Sequence, residues 1–244
     1  MIDEGIFSKV GICVLGYFVL QKISERVFPQ KYLKKCNNDK NLRKEFHQRV
    51  LSFFNCILLT TSITYIHGVD IFILFTQSNK ETVTDHFNNE FDGFSKLLLI
   101  QLCGYMILDT FWCWWNEYNS VLNYLHHFLT IAYCWSMLEY NDTLIEAMIG
   151  LFLSEFSNIF LNLYWFAQYF KWRSESVSGF GFVISFFISR IIGAVWLNYW
   201  LFTIPGSPPM RIISIIMCCV NAGFFYKILE NLVKHFQGKG AKLE

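Results

Sequence analysis

A chain of 244 residues that is 54% hydrophobic, 19% aromatic and only 16% charged lies far from the composition of water-soluble domains. Its mean hydropathy is positive at +0.33, which argues against a soluble globular domain; its formal net charge of +1 argues neither for nor against nucleic acid, and no nucleic-acid partner is expected. What remains is an integral membrane protein.

A helix needs about 20 mostly apolar residues to cross a bilayer, because each backbone polar group must be satisfied within the segment. In chain order, seven stretches meet that need: roughly 5–20, 50–75, 96–115, 121–138, 144–166, 178–202 and 211–232. The first lacks a basic start and a small-residue cleavage site, so it reads as a retained span and not a signal peptide. The second has a soft break expected at His67–Asp70. The expected fold is thus an all-α polytopic membrane bundle of about seven transmembrane helices around a cytosol-facing cavity. Its expected division is an N-terminal helix with a basic loop (1–44), a six-helix domain (45–235) and a polar tail (236–244).

Charge placement gives sidedness. The connector 21–49 carries nine Lys/Arg, from Lys22 to Arg49, whereas 77–95 carries Glu81, Asp85, Glu90 and Asp92. The excess of basic residues on cytosolic loops places the first connector in the cytosol or its equivalent. Seven alternating crossings then bring Lys171, Arg173, Lys234, Lys239 and Lys242 to the same side. The turns at 139–143 and 203–209 fall outside, with Tyr140, Trp196, Tyr199 and Trp200 as an interfacial belt. The Asn141 sequon there lies so close to the membrane that it is expected to stay unmodified. Of the eight cysteines, Cys13, Cys56, Cys103, Cys113, Cys134, Cys218 and Cys219 sit in apolar runs and read as small buried hydrophobes; Cys36 sits in the basic loop.

Several polar side chains stand at membrane depth. Asp109 lies about six residues before the end of the third span, and His126 and His127 about six after the start of the fourth, each about 9 Å below the surface. The short 116–120 turn makes these spans antiparallel neighbours, so a carboxylate and an imidazole can meet. Adjacent helical residues point about 100° apart, so one histidine can face a cavity while the other packs against a helix. Such residues are candidates for a general base or an acyl-accepting nucleophile, or for interhelical bonding alone. Glu155, Asn158 and Asn162 share one inward face of the fifth span. Arg190 in the sixth is expected to pair with Glu155, and Asn221 in the last to bond between helices. Glu155, Asn158, Asn162, Arg190 and Asn221 form the candidate substrate-binding set; His126, His127 and Asp109 form the catalytic one. Adjacent histidines converge poorly on one ion and the HExxH spacing is absent, so no metal is expected.

The segments GYMILDTFW, NYLHHFLTIAYCW, LSEFSNIFLNLYWFAQYF and NAGFFYKIL, with an Arg-bearing span between the last two, resemble the TLC domain family over residues 45–235, the small TLC-domain-containing proteins in particular. The resemblance implies a helical bundle around a cavity opening to the cytosol, lipid metabolism or lipid homeostasis, and residence in the endoplasmic reticulum. In the family's ceramide synthases the paired histidines and acidic residues serve acyl transfer from acyl-CoA to a sphingoid base. By matching, His126, His127 and Asp109 inherit those positions. The acidic segment that follows the histidines in those synthases is replaced here by Glu155-Phe156-Ser157-Asn158, which departs from ceramide synthase activity. Membrane lipids are the expected partners, with acyl-CoA as co-substrate and no bound cofactor. The alternative is a noncatalytic structural subunit of a larger membrane complex, including one of the mitochondrial inner membrane.

Overall fold

All four prolines of the chain, at 29, 205, 208 and 209, fall between apolar runs or at the first turn of one, so no run carries an internal helix breaker. The computed structural model describes residues 4–28, 40–76, 93–117, 120–140, 144–203 and 208–236, and each apolar run is helical. The helices are α1 (Glu4–Val27), α2 (Lys40–Thr76), α3 (Gly93–Trp115), α4 (Val121–Tyr140), α5 (Leu144–Phe170), α6 (Glu175–Phe186), a π-helical turn (Phe187–Ile192) that runs directly into α7 (Gly193–Thr203), and α8 (Pro208–Phe236). With α6, the π turn and α7 forming one continuous rod, the described residues make seven helical rods. Six are long and apolar enough to cross a membrane; α4, 20 residues with Asn123, His126, His127 and Glu139 among them, falls short of that apolarity. The break expected at His67–Asp70 does not occur: α2 continues to Thr76, and His67 is tied to Ser95 Oγ of α3 at 2.9 Å.

Six rods form a ring. Around it α2 packs on α5, α5 on the α6–α7 rod, that rod on α8, α8 on α4 and α4 on α3, and a short contact of α2 with α3 closes the circle. The first helix lies outside the ring against α3 and α2. A close approach is at Gly104, where an added Cβ would stand 2.7 Å from Cys13 Cβ and 3.2 Å from the Val14 nitrogen. Only glycine lets those two backbones meet.

Two helices end at their lysine- and tryptophan-bearing termini with a residue in the left-handed region, Glu117 (φ 57°) after α3 and Lys171 (φ 54°) after α5. At Lys171 the Trp172 N–H reaches back to Ala167 O at 2.8 Å, which satisfies a terminal carbonyl and turns the chain sharply into α6. Phe46 at the start of α2 packs against Trp165, Phe166, Tyr169 and Phe170 at the end of α5, so the basic start of α2 and the end of α5 share one face of the bundle.

Large apolar side chains cover the outside, among them Phe54, Phe72, Phe128, Phe180, Ile188 and Val195, as a bilayer-facing surface requires. The expected interfacial belt is only partly there: Tyr199 is exposed, but Trp200 is buried in the core with Trp196 packed against it. Tyr140, the 141–143 turn and Cys36 lie outside the described residues and side chains. At the opposite end Trp114 and Trp115 are exposed.

Candidate functional site

The antiparallel pairing of α3 and α4 brings Asp109 and His127 together, as their matched depth predicts: His127 Nε2 lies 3.2 Å from Asp109 Oδ2. The other ring nitrogen, Nδ1, lies 3.2 Å from Thr110 Oγ1. Gln48 Nε2 of α2 donates to the second carboxylate oxygen, Oδ1. His127 is buried, and both of its nitrogens are engaged.

Its neighbour behaves differently. The two imidazoles stand 5.8 Å apart, and His126 turns toward the ring interior, edge-on to Phe224 of α8 at 6.0 Å. Among the described residues its ring makes no hydrogen bond, and Nδ1 is buried without a partner.

Below the histidines, Arg190 organises a second polar layer. The π turn that carries it widens the helix locally, a feature that recurs at functional sites. Its guanidinium donates from Nε to Ser157 Oγ (2.8 Å), from Nη1 to Asn221 Oδ1 (3.4 Å), and from Nη2 to Ser154 O (2.8 Å) and Asn158 Oδ1 (3.0 Å). Four of five N–H groups are thereby committed, leaving one on Nη1. No direct ion pair with Glu155 is found among the described residues, although the two charges stand close enough to act on each other; Glu155 lies beside the Cys56 thiol and the Asn158 side chain. The physical reason is direction: Ser154, Ser157 and Asn158 lie on the α5 face toward the α6–α7 rod, whereas Glu155 reaches toward α2. Asn162, on the same stripe as Glu155 and Asn158, donates to Ser52 Oγ of α2 at 3.1 Å and to Asn158 O at 2.9 Å.

A cavity lies between α3, α4, α5, α7 and α8. It has about 70 Å³ of room for water-sized molecules within about 700 Å³ of space free of protein atoms. Its polar lining includes His126, Ser154, Glu155, Arg190, Asn198 and Asn221. The expected lining by His127 and Asp109 is not found among the described residues: the 100° divergence of the histidines gives His126 to the cavity and His127 to the helix interface. Asn158 and Asn162 sit behind the wall.

Sequence reasoning missed four contributors. Gln48 lay in the basic connector, Thr110 was masked by its neighbour Asp109, Ser157 read as a small helix residue, and Asn198 follows Arg190 by eight residues. That last spacing is two helical turns, a signal that was available.

The family comparison adds one finding: a family model for the TLC domain matches residues 45–230, about three quarters of the chain and all six ring helices. No curated protein matches the chain.

Proposed function

The chain belongs to the TLC domain family, and from that premise we propose that it serves lipid metabolism or membrane lipid homeostasis by transferring an acyl group from acyl-CoA to a lipid acceptor in the central cavity. One observation carries this reading. Three lining residues on three different helices each keep a buried polar atom without a hydrogen-bond partner: His126 Nδ1, Glu155 Oε2 and Asn198 Oδ1. Each orphan costs about 1–3 kcal/mol in a folded protein, so three around one cavity point to a polar guest that completes them.

In this reading His126 is the catalytic residue. Its neutral imidazole attacks the thioester carbonyl, the C–S bond breaks, and the departing CoA thiolate takes the imidazole proton. A lipid amine or hydroxyl then attacks the acyl-imidazole, and its proton returns to the ring nitrogen as the acyl group leaves. The uncommitted Nη1–H of Arg190 serves the carbonyl oxygen, a contribution that is worth roughly 10²–10³ in rate in other acyl-transfer sites. His127 and Asp109 are positioning residues, holding α4 so that His126 faces inward. Water-sized room of about 70 Å³ suits the carbonyl end of a lipid, with its chain passing between helices into the bilayer. The basic 21–49 segment faces the cytosol and attracts the CoA phosphates, and the protein resides in the endoplasmic reticulum.

Intact-protein mass spectrometry after incubation with a long-chain acyl-CoA tests the mechanism. Wild type is expected to gain one acyl mass, His126→Ala to gain none, and His127→Ala to gain it more slowly. An adduct that survives in His126→Ala overturns the assignment. No adduct in any folded variant, with partner subunits copurifying in fixed ratio, moves the chain to a noncatalytic role in a membrane complex.

A further inference from the structure

Outside the cavity, one cluster is built more completely than an ion pair needs. Thr110 Oγ1 gives its proton to Met106 O at 2.6 Å, so toward His127 it can only accept. The His127 Nδ1–H therefore donates to Thr110, which leaves Nε2 to face Asp109 Oδ2, 3.2 Å away. Two acceptors that face each other in a buried site need a cation between them, either a proton or a metal ion.

A third ligand decides which cation we infer. Cys113 follows Asp109 by one helical turn on α3, is buried, and brings its Sγ to within 4.8 Å of the Asp109 and His127 ligand atoms. We propose that Asp109 Oδ2, Cys113 Sγ and His127 Nε2 bind a zinc ion, with a water oxygen in the fourth position. Zinc bonds of about 2.0–2.3 Å to such ligands set their mutual separations at about 3.3–3.7 Å, which small side-chain adjustments reach from here. Binding releases the thiol proton, so one carboxylate, one thiolate and one divalent ion sum to a neutral site, as membrane depth favours.

The surrounding bonds are those that metal sites use. A ligating histidine donates its other N–H to a fixed acceptor, here Thr110 and through it a backbone carbonyl. A ligating carboxylate has its second oxygen held, here by Gln48. The adjacent histidine is not a ligand, which leaves His126 to the cavity and keeps this proposal independent of the acyl-transfer reading. The i, i+4 pairing of Asp109 with Cys113 escapes a motif search because the third ligand comes from the next helix.

Metal analysis of the detergent-purified full chain, followed by cobalt titration of the metal-stripped protein, tests the site. About one zinc per chain is expected, and cobalt is expected to give a near-ultraviolet thiolate-to-metal absorption with tetrahedral visible bands. Cys113→Ser should lose the thiolate band while remaining monodisperse. Thr110→Val, which removes only a supporting acceptor, should weaken binding about 10–100-fold. Cys219→Ser, at an exposed cysteine, should change nothing. Equal cobalt spectra for wild type and Cys113→Ser, or monodisperse wild type that retains no zinc and takes up no cobalt, overturn the proposal and leave a proton as the shared cation. Acyl labelling at His126 is read separately, so either reading can fail alone.

Discussion

Arg190 shows how a single cation is tolerated at membrane depth: four neutral acceptors on α5 and α8 replace its hydration shell. Interhelical hydrogen bonds in membrane proteins average about 0.6 kcal/mol, so Arg190→Met, which removes four, should cost roughly 2–3 kcal/mol. For a chain of this size that is a fall of roughly 4–12 °C in the melting temperature, measurable by thermal unfolding in detergent. Arg190→Lys should not restore the loss, because an ammonium lacks the planar fork that reaches Ser157, Asn158 and Asn221 together. At this scale the sequence shows that Asp109, His127, Glu155 and Arg190 need partners at depth. It cannot show the partners themselves, since Thr110, Ser157 and Gln48 are ordinary residues until a neighbouring helix arrives.

At the scale of elements, the docking of α1 turns on one position. A side chain at Gly104 meets both Cys13 Cβ and the α1 backbone, and backbone cannot move aside as a side-chain tip can. Gly104→Val should therefore loosen α1 at a cost of about 1–3 kcal/mol. Hydrogen exchange should rise along α1, reach α4 only where Phe7 meets Trp135, and stay unchanged in α8. Equal protection of α1 in both proteins would contradict this. The π turn is the other element-scale device. It adds local width just before Gly193, where the side chain of Leu153 comes within 3.0 Å of the place a Cβ would take, so the rod packs closely on α5 while Arg190 points inward.

For the whole molecule, alternating rods and the basic 21–49 segment give a topology with a direct test. A glycosylation acceptor introduced into 77–92 should be modified in microsomes, and one introduced into 29–39 should not. Modification of the second would invert the orientation and put the basic segment on the lumenal side. The native acceptor at Asn141 should stay unmodified in either case, because only three residues separate α4 from α5.

The sequence by itself determined the membrane class, all seven rods to within a few residues except at the end of α1 and the start of α2, the TLC family, and the meeting of Asp109 with a histidine. These follow from properties that act along the chain: apolar length, helical period, basic bias and a short turn that forces antiparallel neighbours. Only the tertiary structure decided that α4 packs on α8 and α2 on α5, and that α1 stands outside the ring. From that arrangement came the division of labour between His126 and His127, the neutral partners of Arg190, and the approach of Cys113 to Asp109 and His127. Apolar helices are similar to one another from outside, so which two pack together depends on small residues, close approaches such as Gly104, and polar groups that find partners only once the ring has closed.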